Sequence, residues 1–83
     1  MAKQRFRVSG NRLLRAIEEL VRRGDVRRVC LLDEERTVLE IPLNVGDPAA
    51  PATVLRAPVI AAIRAFGTLV NECTVEVETG PET

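Results

Sequence analysis

The chain contains no histidine, tryptophan or tyrosine among its 83 residues, and only two phenylalanines and two cysteines. Without histidine, and with Cys30 far from Cys73 in sequence, it lacks the ligand set of a zinc site. Histidine is also the commonest general base, and no serine, cysteine or lysine stands in a pattern that would activate a nucleophile. No glycine-rich phosphate loop is present. We therefore expect a protein that is not an enzyme and uses no metal or cofactor.

The scarcity of cysteine and the lack of a long apolar run bear on the cellular location of the protein. The first ten residues, MAKQRFRVSG, have no apolar core and do not resemble a secretion signal. Two distant cysteines without such a signal are typical of reduced, buried thiols in a cytosolic protein. In a ferredoxin-like sheet their strands would lie about three spacings of roughly 4.8 Å apart, too far for a disulfide. We expect structural cysteines and a cytoplasmic location.

The scarcity of aromatic residues restricts nucleic-acid binding. Sheets that recognise RNA usually stack bases on exposed aromatic side chains, and Phe6 and Phe66 both fit the predicted core. Binding of a polyanion would therefore be electrostatic. The candidate residues flank one predicted turn: Arg22, Arg23, Arg27 and Arg28. The alternative is that Arg22 and Arg23 pair with Glu18 and Glu19, while Arg27 and Arg28 face solvent or pair with the acids of the next strand.

Charge is balanced overall and segregated along the chain. Residues 1–28 carry nine basic and three acidic residues, whereas the remainder carries three basic and nine acidic residues. Such segregation is compatible with a nucleic-acid surface, with complementary surfaces of an oligomer, or with solubility alone. The acids Asp33, Glu34 and Glu35, with Glu40 nearby, are interpreted as the solvated tip of a hairpin.

Residue periodicity divides 5–78 into four strands and two helices. The predicted strands cover 5–9, 26–32, 37–43 and 73–78. The first helix carries its apolar stripe over Leu13–Val21, is capped by Ser9 or Asn11, and ends at Gly24. The second occupies 54–70, where Pro58 either begins the main helix or kinks it. Residues 1–4 and 79–83 are expected to be disordered, and 5–78 to form a single domain.

The order β-α-β-β-α-β predicts an α+β two-layer sandwich, with two helices on one face of a mainly antiparallel four-stranded sheet. The ferredoxin-like arrangement is the commonest form of this order. Pro42 argues against that arrangement, because its third strand is central and proline cannot donate to a ladder.

The run FRVSGNRLLRAIEELVRRGDVRRVCLLDEERTVLEIPL and the later CTVEVE resemble the bacterial family called domain of unknown function 4342. The resemblance covers residues 5–78, with its most specific parts at 24–29, 39–43 and 73–77. The family brings no established activity, cofactor or catalytic residue. Some relatives look fused to a small helical module of the ubiquitin-associated type, which implies protein partners. Relatives also tend to have a longer uncharged apolar stretch, which Arg56 and Arg64 interrupt here, so a spanning helix is not expected.

The second helix is the main candidate for an interaction surface. Five residues are predicted to share its core face, and three lie beside that face. One interpretation is that the helix only covers its own sheet; the other is that it docks a second subunit. The core of a domain of about 80 residues gives only marginal stability, and association of subunits is one way to increase it. We expect a homodimer through this helix or an open sheet edge. The alternatives are polyanion binding through the four arginines and peripheral membrane contact through the second helix. The core face is Leu55, Val59, Ala62, Phe66 and Leu69; the interface candidates are Ile60, Ile63 and Val70.

Overall fold

A computed structural model describes residues 2–80 of the chain. The strands are β1 (Ala2–Ser9), β2 (Val26–Asp33), β3 (Arg36–Pro42) and β4 (Glu72–Thr79), and the helices are α1 (Leu13–Arg23), α2 (Ala50–Val54) and α3 (Ala57–Leu69). A 3₁₀ turn over Gly10–Arg12 precedes α1. The first strand thus begins at Ala2 and includes residues 2–4, for which disorder was predicted. Thr79, also predicted as disordered, is the last residue of β4, and Gly80 follows it. Residues 1 and 81–83, the rest of the segments predicted as disordered, lie outside the described residues.

The four strands form one antiparallel sheet in the order β1-β4-β2-β3. The helices cover one face of it, which confirms the predicted α+β two-layer architecture. The strand order differs from the ferredoxin-like arrangement, because β3 lies at an edge and β4 lies inside the sheet. Pro42 therefore ends an edge strand, a position that tolerates a residue without a backbone N–H.

Helix α1 follows its predicted pattern closely. Leu13, Ile17, Leu20 and Val21 recur on one side and are all buried, as expected of a helix with one apolar stripe. Gly24 ends the helix in the left-handed conformation, with φ of 86°. The start differs from the prediction, since neither Ser9 nor Asn11 caps α1; the Ser9 hydroxyl instead donates to Asn11 Oδ1 at 2.8 Å.

The β2–β3 hairpin turns at Glu34 and Glu35, which both have positive φ, 50° and 68°. Two-residue hairpins favour this geometry because it matches strand twist, and they usually place Asn or Gly there. Two glutamates in the left-handed region make this turn strained. The tip is solvent-exposed, as the sequence predicted.

The second helical region divides into two helices. The short α2 lies almost entirely before the predicted helix over 54–70, and α3 begins at Ala57 with Pro58 in its first turn. The first of the two roles considered for Pro58 is therefore the observed one. Near its C-terminal end, α3 meets the 3₁₀ turn backbone to backbone: a Cβ on Gly67 would lie 2.5 Å from the Gly10 carbonyl oxygen.

The core lies between the helices and the sheet. Its largest fully buried side chains come from both layers, and β4 contributes through alternate positions. No buried polar or charged residue is found within residues 2–80. Helix α3 contributes one fully buried side chain, Ile63. The fully buried set is Leu13, Ile17, Val29, Leu31, Ile63, Val75 and Val77.

Candidate interaction surfaces

On the face of the sheet that the helices leave open, β1 and β4 carry pairs of opposite charges. Basic residues of β1 lie directly across from acids of β4, with Arg5 opposite Glu76 and Lys3 opposite Glu78. Arg5 Nε donates to a Glu76 carboxylate oxygen at 2.7 Å, and its Nη1 donates to Glu35 at 3.2 Å. These hydrogen bonds, first to Glu76 and then to Glu35, raise the pKa of Arg5. Such pairs fix orientation and contribute little stability when exposed.

The four arginines predicted as a polyanion site each lie near a carboxylate. Arg23 contacts Asp25 at 2.9 Å, and the other three pair at 3.7–3.9 Å. The alternative considered from the sequence, pairing with nearby acids, holds for Arg22 and Arg28. Arg23 contacts Asp25 in place of Glu19, and Arg27 contacts Glu78 of β4 in place of an acid of the next strand. The neighbouring carboxylates reduce the positive charge that this cluster presents to a polyanion. The remaining pairs are Arg22–Glu18, Arg27–Glu78 and Arg28–Glu40.

The segregation of charge along the chain has an intramolecular explanation. Strand β1 and the start of β2 come from the basic segment, while β3 and β4 come from the acidic segment. The order β1-β4-β2-β3 places the acidic β4 between the two basic strands. Arg7 Nε, for example, donates to Glu72 at 2.7 Å. The complementary charges, for which an oligomer was one of the explanations considered, thus meet within one chain.

Both cysteines are buried and free, in agreement with the structural role predicted for them. The predicted reason for their separation was wrong, because β2 and β4 are neighbours. Cys30 lies opposite Glu76, an odd number of residues from Cys73 along β4, so the two thiols lie on opposite faces of the sheet. Burial is the main cause that raises the pKa of each thiol; Glu40 adds to it at Cys30 and Asp33 at Cys73.

Helix α3 presents an unusual outer surface. The side turned away from the core is exposed, and its side chains are apolar. Leu69 is the extreme case, with 81% of its surface exposed. A surface helix normally carries charged residues there, but Arg64, on one flank, is the only charged residue of α3. We call this surface the outer face of α3; it consists of Pro58, Ala61, Ala62, Ala65 and Leu69.

The structure revises which α3 residues belong to which surface. Ile63, an interface candidate, is fully buried in the core, and Val70 is partly buried against it. Ile60 is half-buried. Conversely, Ala62 and Leu69 were predicted to face the core and are exposed. Helix α3 is apolar on most sides, so periodicity alone did not determine its orientation.

A groove of about 370 Å³ lies between the start of α1 and α3. Its floor is apolar, and Arg64 is its one ionisable residue. Within residues 2–80, no group of three acidic or cysteine side chains gathers in a way that would hold a metal ion. None of the helices in that range is long and apolar enough to cross a membrane. The groove is lined by Gly10, Asn11, Leu14, Ile63, Arg64, Gly67 and Thr68.

Fold and surfaces together define a small two-layer α+β domain with a salt-bridged open sheet face and an exposed apolar helix. The chain matches the model of the family described as Domain of unknown function (DUF4342) over residues 1–79, and it belongs to that family. No curated protein and no solved structure matches it.

Proposed function

We propose that this protein is a non-catalytic association domain that forms a homodimer through the outer face of α3. The exposure of Leu69, at 81%, carries the proposal, because it ends a helix surface that has no charged residue to keep it in water. Burial of exposed apolar surface between two copies stabilises the dimer by about 25 cal/mol for each Å² that is removed from water. The free, buried cysteines fit a cytosolic setting, where thiols stay reduced.

The shape of the outer face supports a second copy as the occupant. Ala61 and Ala65 are one turn apart and keep the helix surface flat, which allows another helix to approach closely. In a two-fold, antiparallel arrangement centred on these alanines, Leu69 of each copy extends toward Pro58 of the other. Each copy then contributes the same patch, as a two-fold interface requires.

The other surfaces of the sheet are less suited to self-association. The open face carries paired charges that would have to be desolvated. The β3 edge is shortened by Pro42 and irregular near Val38, where the register with β2 shifts, and both features discourage strand pairing. The β1 edge carries Lys3, Arg5 and Arg7. Pairing it antiparallel with its own copy would place basic residues opposite basic residues, which is unfavourable.

The test is the solution mass by size-exclusion chromatography with light scattering. The unaltered chain should elute as a dimer, and Leu69→Glu should be a folded monomer with an unchanged circular dichroism spectrum. Ala52→Glu, which adds the same charge at an exposed alanine of α2, should remain dimeric. Ile63→Glu is not suitable because that side chain is part of the core.

A monomeric mass for the unaltered chain would refute self-association. Flotation with vesicles then tests the alternative of peripheral membrane contact. A monomer that binds anionic vesicles through Leu69 would support it. In that arrangement the same apolar face enters the membrane interface, and the flanking Arg64 contacts lipid phosphates.

A further inference from the structure

Strand β1 has a long and regular free edge. It pairs with β4 over eight consecutive residue pairs without a register shift, and within residues 2–80 no strand pairs with its other side. Alternate backbone N–H and C=O groups along Ala2–Ser9 therefore point away from the sheet without a strand partner. Such an edge is a template for a further strand.

The side chains along this edge divide by chemistry between the two faces of the sheet. Lys3, Arg5 and Arg7 lie on the open face, and Phe6 and Val8 lie with Gln4 on the helix side, since Phe6 is opposite Val75. Phe6 was predicted to be a core residue, yet 38% of its surface is exposed because no strand lies beyond β1. A strand added here would cover this ring on one face and meet three basic residues on the other.

We propose that the free edge of β1 binds an extended segment of another protein in which acidic residues alternate with apolar residues. This is strand addition, where backbone hydrogen bonds supply affinity and alternate side chains supply specificity. The proposed segment puts its acids beside Lys3, Arg5 and Arg7 and its apolar residues beside Phe6 and Val8. The site is separate from the outer face of α3.

The pairing of β1 with β4 shows a sequence pattern that is able to pair with β1. On its paired side, β1 holds β4, whose sequence alternates glutamate or threonine with cysteine or valine. Basic and acidic residues face each other across that pair, as at Arg5 and Glu76. Capacity for a second acidic strand is largest at Arg7, which contacts one carboxylate through Nε, and smaller at Arg5, which contacts two through Nε and Nη1. A guanidinium has five N–H donors, and the side chains of Arg5 and Arg7 are both at least half exposed.

The same charges decide which strand is accepted. A second β1 would place basic residues opposite basic residues, so the edge disfavours its own copy. An acidic strand reverses the sign of each cross-strand contact. Opposite charges directly across a strand pair stabilise it, and like charges destabilise it. The β1 edge therefore discriminates between strands by their charge: it attracts an acidic strand and repels a basic one, and specific interfaces commonly combine these two effects.

The experiment is a titration of the ¹⁵N-labelled full chain with a peptide that copies β4. The probe is the end-blocked sequence Glu-Ser-Thr-Val-Glu-Val-Glu-Thr, in which serine replaces the cysteine to avoid oxidation. We expect saturable one-to-one binding, with the largest amide shifts in residues 2–9 and slower hydrogen exchange at alternate amides of β1. A control peptide with lysine in place of each glutamate should not bind.

Variants of the chain test whether the amide shifts arise from binding at the β1 edge. Lys3→Gln, at an exposed position, should weaken binding about twofold to fivefold, and it creates no like-charge pair with Glu78, which lies opposite Lys3 in the sheet. Leu69→Glu should bind as well as the unaltered chain, because it alters a different surface. No saturable shift in residues 2–9 at millimolar peptide would overturn the proposal. So would equal binding of the lysine peptide, or loss of binding in the Leu69 variant.

Discussion

Replacing Gly67 by alanine tests the contact that holds α3 against the 3₁₀ turn. In the middle of an exposed helix, alanine is more favourable than glycine by about 1 kcal/mol. Here the added Cβ would lie 2.5 Å from the Gly10 carbonyl oxygen, well inside van der Waals contact. The obstacle is backbone, which cannot turn away as a side chain can, so the overpacking penalty falls near the upper end of its usual range, about 3 kcal/mol.

The two effects oppose each other, and overpacking is the larger. We expect Gly67→Ala to lower the free energy of unfolding by about 2 kcal/mol, which for a domain of this size lowers Tm by roughly 8–16 °C. Gly10→Ala should be at least as damaging, because its Cβ would lie 2.1 Å from the Gly67 carbonyl oxygen and 2.4 Å from that of Val70. Urea denaturation followed by circular dichroism at 222 nm, a wavelength that reports helix, measures both changes.

The matched control is Ala65→Gly, the reverse exchange on the exposed side of the same helix. In the Leu69→Glu background, where the outer face of α3 makes no dimer contact, this exchange removes helix propensity and touches no neighbour, so it should cost about 1 kcal/mol. If Gly67→Ala left stability unchanged or raised it, the close approach of α3 to the 3₁₀ turn would be refuted. The orientation assigned to α3 would then lose its main physical cause.

The remaining predictions concern the core, the hairpin and the thiols. Ile63→Ala should cost about 2–5 kcal/mol in urea denaturation, and Ile60→Ala distinctly less, because Ile63 is fully buried and Ile60 is not; equal costs would contradict the assignment of Ile63 to the core. Glu34→Gly should raise stability by about 0.5–1 kcal/mol, since glycine adopts positive φ without strain; a loss would show that the turn is not strained. Burial raises the pKa of both thiols above the ordinary value of 9.0, so the unfolded thiols ionise first and stability should fall as pH rises through that value; a variant with both cysteines changed to alanine should show a weaker decline in the urea midpoint between pH 8 and 10.

The predicted elements agree with the structure where a local pattern had one solution. In α1, a single apolar stripe and Gly24 specified both the buried side and the end of the helix. In β4, strict alternation specified which residues are buried. The arginines flanking Gly24 have carboxylates nearby, as one of the two alternatives drawn from the sequence anticipated.

Helix α3 shows where local pattern was insufficient. Its apolar residues occupy most of the helix circumference, so several orientations satisfied the periodicity, and Leu69 was assigned to the core. Gly67 had no visible role in the sequence, because its purpose depends on Gly10, which is distant along the chain. The contact between these two glycines turns Ile63 inward and leaves Leu69 in solvent.

The sequence by itself therefore determined the kind and order of the elements, the two-layer architecture and the burial of the cysteines, since these depend on neighbours within a few residues. The tertiary structure alone decided that β4 lies between β1 and β2, that the segregated charges pair within the chain, and that α3 exposes Leu69. Each of these depends on residues far apart in sequence, which come together only when the strands pair in the folded sheet and the backbones of two glycines come into contact.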